Sequence, residues 1–577
     1  MENAQIADMF DQIADLLDLT GANAFRIRSY HNAARTVRGL SQRLEDLVAA
    51  GEDLTDLPGI GQSTAAKIRE ILDTGTCKRL EELRSQVPEG LPDLMRVPGL
   101  GPRKAMQLHD ALGVATLDDL RTAAEEHRIS TVEHFGARSE EKILEGIRTA
   151  TSTAGRMLYH DAAGHVEALS RRLDGAGAVE RWVVAGSFRR GMETVGDLDI
   201  LVLARDRDAA IEQILAFDNI AAVDSRGREK ATVRLEGGLQ VDFRFFEEES
   251  FGAAMMYFTG SKAHNIALRR MAQQRGWKLN EYGLFDGRRM LAGRSEEALY
   301  GRLNLPWIPP EIREDRGEID AAAAGRLPSL IELKDVRGDF QSHTTASDGT
   351  AGIEEMAQAA QARGHSYLAI TDHSRRVTMA HGLDEDRCRR HADRIRRVND
   401  TLEGLWLMAG IEVDILKDGS LDLDEGVLAD LDWVVASAHY DRNLPEKAMT
   451  DRLVRAISSG VVHCLGHPLG RIIGRREPLA FDFDAVMEAC RDHDVWLEVN
   501  GQPDRLDLPE AFCRRARDGG VQFTFGSDAH RPEDLSFIAL AVNVARRGWL
   551  QKKDVINTLT AGQLRKRLNR SRIAGAP

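Results

Sequence analysis

Two aspartates in the run Gly196-Asp197-Leu198-Asp199 are the first residues of this chain whose type and spacing suggest chemistry. On a strand alternate side chains share a face, so the two carboxylates point the same way and repel one another unless a cation lies between them. Asp242, in LQVDFRFF, is placed to add a third oxygen donor from a neighbouring strand. Three carboxylates suit two magnesium ions about 3.5–4 Å apart, one activating an attacking oxygen and the other steadying a leaving phosphate, which is phosphoryl transfer. A lone Asp-x-Asp is equally a solvated turn. What favours chemistry is the upstream run Gly186-Ser187-Phe188-Arg189-Arg190-Gly191, whose turn and arginines can bind a triphosphate through backbone and guanidinium donors.

A second constellation occupies the last part of the chain. His343, Asp348, Asp372-His373, Glu412, His439, His467 and Asp528-Ala529-His530 lie in short motifs (SHTTASDG, ITDHS, GIEVD, ASAHY, GHPLGR, FGSDAH) that each end an apolar run. Strand ends are where barrel folds place chemistry. Imidazole and carboxylate together suit a Zn2+, Mn2+ or Fe2+ cluster better than the all-oxygen magnesium site above. A single histidine of this kind is ordinarily a hydrogen-bonded core or surface residue; six such motifs in series point to metals.

A third feature is a near repeat, LPGIG ending at Gly61 and VPGLG ending at Gly101, each followed by a helical run. The glycines Gly59, Gly61, Gly99 and Gly101 free backbone N–H groups at a helix start, which can hold a DNA phosphate without net positive charge. That matters because the chain carries 77 Lys+Arg against 91 Asp+Glu, a net charge of -14, so bulk charge is not what holds nucleic acid.

The elements that must position these groups follow from the patterning. Residues 1–150 read as short helices with apolar spacing of three and four. Residues 151–318 read as mixed, with strand candidates at WVVAG, DLDILVL, ATVRLEG and LQVDFRFF. A proline-bearing charged stretch (LPWIPPEIREDRGE) and an alanine-rich piece lead through a linker at 319–334. From 335 to 577 short strands such as YLAIT, DWVVASA, VVHCLG, VWLEVN and FTFGS alternate with helices in the rhythm of an α/β barrel. Of the 17 histidines, 10 fall in this part. The five cysteines are scattered with no CxxC pair, which excludes a disulfide framework and a thiolate zinc site. No apolar run approaches ~18 residues and the N-terminus is an acidic amphipathic helix, so a cytoplasmic protein without a membrane partner is expected.

The glycine turns resemble the helix-hairpin-helix of DNA repair proteins, with a weaker copy near His134 to Ile147. GSFRRG and GDLD resemble the nucleotidyltransferase superfamily. With YFTGSKAHNIALRR and WKLNEYGLF they are similar to the palm and thumb of family X DNA polymerases, the group of DNA polymerase beta. The resemblance implies that Asp197, Asp199 and Asp242 are the metal triad, using Mg2+ or Mn2+, with Asp242 nearest the primer 3′-OH. It implies triphosphate contacts at Ser187, Arg190 and Gly196, and contacts to the nucleotide sugar at Tyr257, Phe258 and Gly260. Asn265 and Arg269 match positions near the base and template, while Lys262 stands where the beta enzyme carries an acid. Lys67 matches the lysine that forms a Schiff base with an abasic sugar phosphate, with Arg26 and Tyr30 beside it. Its neighbours differ, Ser63 standing for a lysine and Ala66 for a glutamate, and a lysine nucleophile needs a lowered pKa.

The order of the later motifs resembles the PHP domain (polymerase and histidinol phosphatase), a distorted seven-stranded barrel that hydrolyses phosphoesters with three metals. By position, His343, Glu412 and Asp528 would hold one ion, Glu412, His439 and His467 a second, and Asp348, His373 and His530 a third. Arg471 and Arg505 are weaker candidates for gripping substrate phosphate. The family begins with His-x-His, whereas this chain reads Gln341-Ser342-His343, and a neutral amide should weaken the first site.

The expectation is therefore a multidomain α and α/β protein: a helical DNA-binding region, a nucleotidyltransferase palm with thumb, and a distorted (β/α)7 barrel. Its implied work is adding dNTPs at gapped or nicked DNA in base excision or end repair, as a monomer, with 3′ to 5′ trimming by the barrel. Two alternatives stand beside it: a DNA-end scaffold with a structural barrel, and a barrel acting as a small-molecule phosphatase.

Overall fold

In the computed structural model the described residues are 3–574 except 21, 39–43, 50, 58, 88–90, 95–96, 98–99, 134, 137, 141, 145–155 and 237. The chain divides into two compact units, Met1–Ala154 with Gly474–Arg476, and Gly155–Ile473 with Glu477–Pro577.

The first unit is helical. In α1 (Asn3–Leu19) the residues Ile6, Phe10, Ile13 and Leu17 fall on one stripe by their spacing of four and three. They are buried in one core with Tyr30, Ala33, Ala34 and Val37 of α2 (Ala24–Arg38). Both glycine turns lead into helices as the sequence suggests. Gly59 has φ +74°, and Gly61 is the extended N-cap of α3 (Gln62–Thr74). Gly101 caps α4 (Pro102–Leu112), with Pro102 at the first helical position. Neither cap makes a side-chain bond to the helix, so the first-turn N–H groups are not capped by those residues. Gly99 and His134 lie outside the described residues.

The second unit opens with a five-stranded sheet. Its strands are β1 (Val179–Val184), β2 (Asp197–Ala204), β3 (Ile220–Arg226), β4 (Lys230–Leu235) and β5 (Gln240–Phe245), in the order β1-β2-β5-β4-β3. Only β2 and β5 run parallel. Period two sorts β2 cleanly: Leu198, Ile200 and Val202 enter one core, while Asp197 and Asp199 share the other face with Leu201 and Leu203. That second face packs on α6 (Phe251–Thr259), which leads into α7 (Lys262–Gln274) and a three-stranded antiparallel sheet. The stretch 319–334 is built into this region rather than spanning it. Glu318–Ala323 is helical, and Ala322 and Leu330 join the core of Leu268 and Leu299.

The remainder is a barrel of seven parallel strands in chain order. They are β6 (Gly338–Asp339), β7 (Tyr367–Ile370), β8 (Trp406–Asp414), β9 (Trp433–Ser437), β10 (Cys464–Leu465), β11 (Trp496–Asn500) and β12 (Phe523–Gly526). The ring closes just beyond β6, where Phe340 N–H donates to the Phe525 carbonyl at 3.2 Å and His343 N–H to that of Ala529 at 2.8 Å. In β8 the residues Leu407, Ala409, Ile411 and Val413 face the outer helices. The alternate face carries Met408 in the barrel core and Glu412 at the C-terminal end, where barrel chemistry sits. Among the described residues no helix is long and apolar enough to cross a membrane. All five cysteines are free and buried.

Candidate active sites

The parallel register of β2 and β5 sets Asp199 directly against Asp242. Arg244 binds both, donating from Nε to Asp199 at 3.1 Å and from Nη2 to Asp242 at 2.8 Å. Lys230 Nζ lies 2.7 Å from Asp242, which also accepts from Thr232 Oγ1 at 2.8 Å. Burial lifts the Asp199 carboxyl to about 6; Arg244 pulls it down, while Asp197 and Asp242 push it up. Three carboxylates in electrostatic reach of one another, with two basic side chains drawn onto them, form an all-oxygen donor set that fits a hard divalent cation. The sequence reading gave Arg244 no role, although it stands two residues from Asp242 and so on the same face.

Gly186 is fixed by this site. Its φ is +64°, and a Cβ there would lie 3.0 Å from Asp199 Oδ2. The turn continues into a single helical turn, α5 (Gly186–Arg189), carrying Ser187. Arg190 donates from Nε to Glu314 at 2.9 Å and from Nη1 to the Thr259 carbonyl at 2.5 Å. Gly196 stands close to Arg156, whose Nη1 would be 3.1 Å from a Cβ. At the end of α6 the Phe258 ring lies 4.4 Å under the Arg244 guanidinium, and the Tyr257 ring 5.2 Å from that of Arg269. Gly260 has φ +69°. Asn265 donates to the Tyr257 carbonyl at 2.7 Å, while its Oδ1 is buried with no hydrogen-bond partner among the described residues. Lys262 is exposed.

Arg189 has a structural task that its sequence context does not reveal. It pairs twofold with Glu296, at 2.8 Å in both contacts, and Glu296 also receives Arg313 and the Trp307 indole N–H. Burial opposes the Glu296 charge, yet the two guanidinium groups hold its carboxyl down at about 2.

In the helical unit Lys67 is partly exposed on α3. Its ammonium donates to the Ser63 carbonyl and hydroxyl at 3.1 and 2.8 Å, and it stands 5.9 Å from the Tyr30 ring centroid. Arg26 lies on the neighbouring α2.

At the barrel's C-terminal end the expected ligands converge. Donor atoms of His343, Asp348, His373 and His530 lie within 4.8 Å of one another, as do those of His373, Glu412 and His439. His343 Nε2 is 3.0 Å from Asp528, and His467 Nε2 is 2.9 Å from Glu412 Oε1. His373 Nδ1 is 2.9 Å from Glu412 Oε2. These approaches lack hydrogen-bond geometry: both Glu412 oxygens, both His343 nitrogens, His373 Nδ1 and His439 Nδ1 are buried without a hydrogen-bond partner among the described residues. Buried polar atoms are seldom left so. Lone pairs converging from imidazole and carboxylate are the arrangement of ligands around shared cations, so the residues fit a metal cluster. Burial opposes charge on Asp348 and Asp528, but the surrounding histidines hold both carboxyls low. His530 is driven the other way: burial lowers it, but Asp348 and Asp528 together outweigh burial and lift it to about 9.

The members of each expected trio lie close together, and the trios overlap. His373 sits between Asp348 and Glu412, and His343 between Asp528 and the Asp348–His530 pair, so the sites share walls. Gln341 is buried with both side-chain polar atoms unpartnered among the described residues. Arg505 stays beside the cluster, its Nε 3.9 Å from Asp528. Arg471 does not: it is committed to Glu193 at 2.6 Å and the Leu506 carbonyl at 2.7 Å.

The supporting residues carry period-two signals not used in the sequence reading. Asp414, two from Glu412, accepts the His439 N–H at 3.0 Å and lies in an ion pair 2.9 Å from Arg376 Nε. Glu498, two from Asn500, accepts the His467 N–H at 2.6 Å, and burial together with Asp528 holds its carboxyl well above the usual range. Asp372 gathers His391, Thr344 and Ser347, which ties down the loop before Asp348.

One unit therefore combines a cluster of three carboxylates with a barrel whose C-terminal end gathers histidines and carboxylates that fit metal ions. The comparisons carry this to a family. Residues 1–77 match a helix-hairpin-helix domain and 91–149 a SAM-like helix-hairpin-helix tandem. Residues 254–314 match the DNA polymerase beta thumb, and 339–500 the PHP domain. The chain is 37% identical over 562 residues to the DNA polymerase/3'-5' exonuclease PolX of Bacillus subtilis (strain 168), covering 96% of this chain and 97% of that protein. It is also 33% identical over 214 residues to a probable phosphatase of Vibrio vulnificus (strain CMCP6), covering 35% of this chain and 81% of that protein. The chain belongs to the family X DNA polymerases that carry a C-terminal PHP domain.

Proposed function

We propose that the protein adds dNTPs to a primer 3′-OH at gapped or nicked DNA and trims 3′ ends from the barrel, serving base excision or end repair. The observation that carries the first half is the direct opposition of Asp199 and Asp242 in register, with Asp197 on the same face. Divalent ions, Mg2+ or Mn2+ here and Zn2+, Mn2+ or Fe2+ in the barrel, would supply charge neutralisation and activation of the attacking oxygen. Asp242 is the carboxylate assigned to the primer terminus. Ser187, Arg190 and Gly196 take the triphosphate, Tyr257, Phe258 and Gly260 meet the sugar, and Asn265 and Arg269 face base and template. The nine-residue ligand pattern of the barrel, with Gln341 at its first place, would hold the cluster through His343, Asp348, His373, Glu412, His439, His467, Asp528 and His530. Gly59, Gly61, Gly99 and Gly101 serve the DNA backbone through main-chain N–H groups.

The same reading divides the chain at about 150 and 335, with the polymerase region running on through 319–334, and makes it a cytoplasmic monomer. Lys67 stands as the amine of an abasic-site lyase, which borohydride trapping on an abasic duplex tests. For the main reading, a labelled gapped duplex is incubated with protein, dNTPs and Mg2+ or Mn2+. Asp199→Ala should abolish lengthening and leave shortening, and His373→Ala should do the reverse. Loss of neither activity would favour a scaffold. Turnover of free phosphomonoesters indifferent to added DNA would favour a small-molecule phosphatase.

A further inference from the structure

The glycine-arginine turn is held from behind by the barrel. On helix α8 (Ile538–Arg547), Asn543 Nδ2 donates to the Gly191 carbonyl at 3.3 Å. The approach is so close that a Cβ on Gly191, whose φ is +66°, would fall 2.2 Å from Asn543 Oδ1. The absence of a side chain at Gly191 is thus what admits Asn543 from the barrel.

Arg547, at the end of the same helix and only 5% exposed, reaches further. Its Nη1 donates to the Arg190 carbonyl at 2.8 Å and to Glu314 Oε1 at 3.2 Å. That oxygen is the one that also receives Arg190 Nε, at 2.9 Å. Arg547 Nη2 is anchored on Glu510 of the barrel at 3.1 Å. One guanidinium thus holds Arg190 by its main chain and, through a shared carboxylate, by its side chain. The planar fork matters, because a lysine ammonium cannot span Glu510 and the Arg190–Glu314 pair from one point charge.

We infer that Arg547 is a positioning residue for nucleotide addition: the barrel, besides its own chemistry, sets the angle at which Arg190 meets the triphosphate. The inference rests on the reading of Arg190 as a triphosphate contact. A small misplacement of such a group weakens ground-state grip and alignment far more than it disturbs the fold.

The test uses the full chain and single-nucleotide gap filling, with KM for dNTP and kcat measured separately, exonuclease on single-stranded DNA, and thermal melting. Arg547→Lys should raise the dNTP KM by about tenfold with kcat changed less than about threefold and exonuclease unaltered. Asn543→Ala, a milder change that leaves every ion pair in place, should shift KM the same way by a few fold. Adding Arg547→Lys to Arg190→Ala should raise KM no further than Arg190→Ala alone, since groups acting through one another are not additive. If Arg190→Ala raises KM and both barrel variants leave it unchanged, the inference is overturned while the reading of Arg190 stands. If the two arginine variants are additive, or polymerase and exonuclease fall together with the melting temperature, Arg547 is merely structural and the inference is again overturned. If Arg190→Ala leaves KM unchanged, the reading itself has failed.

Discussion

Asp199 and Asp242 face one another across the parallel pair β2 and β5, and a single guanidinium, Arg244, bonds to both. The side chain that steadies two clustered carboxylates therefore competes with any divalent ion they bind. Removing it should favour the ion. Arg244→Ala is expected to lower the Kd for Mn2+, read by calorimetry without nucleotide, about fivefold, the equivalent of one partly exposed ion pair of about 1 kcal/mol. An unchanged or weaker affinity would mean that Arg244 organises the carboxylates rather than competing for them.

Gly186 tests the same cluster sterically. With φ +64° and Asp199 Oδ2 3.0 Å from the place of a Cβ, Gly186→Ala must displace the carboxylate. Extension should fall on the order of 100-fold, the scale of a 1 Å misplacement of a reacting group. Exonuclease should persist, because the barrel's hydrogen bonds to this turn are made at Arg190 and Gly191.

Glu296 carries a pH dependence whose sign is fixed. Its folded carboxyl is held at about 2 against an ordinary 4.5, so folding binds it in the charged form. The resulting stabilisation, roughly 3 kcal/mol, is fully present above about pH 4.5 and is lost progressively as the pH falls towards 2. Glu296→Gln should remove that acid-range loss and destabilise the protein at pH 7 by about 3–5 kcal/mol, because buried Arg313 and partly buried Arg189 would be left without their carboxylate. Urea unfolding followed by tryptophan fluorescence at pH 7 and pH 3 reads both effects. Equal midpoints for the variant and the parent would contradict the assignment.

Gln341 is a buried amide with both polar atoms unpartnered among the described residues, at the place where the family has an imidazole. Gln341→His should raise bound metal per chain, measured by plasma mass spectrometry after dialysis, and with it the exonuclease rate, on the order of tenfold as for restored ligation. No gain in either would show that the amide is an adequate ligand or that the site is unused.

Much of this architecture is legible before folding, for reasons that differ by element. Asp197 and Asp199 sit in a strand whose opposite face is apolar, so period two reveals both the strand and the shared face of the carboxylates. The barrel strands YLAIT, DWVVASA and VWLEVN are buried on both sides and stand out as short apolar runs. Ile220–Arg226 does not, because it is an exposed edge strand with no face to bury. Gly338–Asp339 is too short to leave a pattern. Contacts made by folding alone leave no local trace: nothing around Gly191 announces Asn543, 352 residues away, which folding brings against it. Arg471 likewise reads as a phosphate grip until Glu193 occupies it. The pairing of Arg189 with Glu296 belongs to the same class.

The most direct test is anomalous diffraction from crystals grown with Mn2+, a gapped duplex and a non-hydrolysable dNTP. The account requires two manganese peaks about 3.5–4 Å apart among Asp197, Asp199 and Asp242, with Arg244 drawn off the carboxylates. Manganese confined to the barrel histidines, with Asp199 and Asp242 still clasped by Arg244 and Lys230 and no nucleotide beside them, would contradict it.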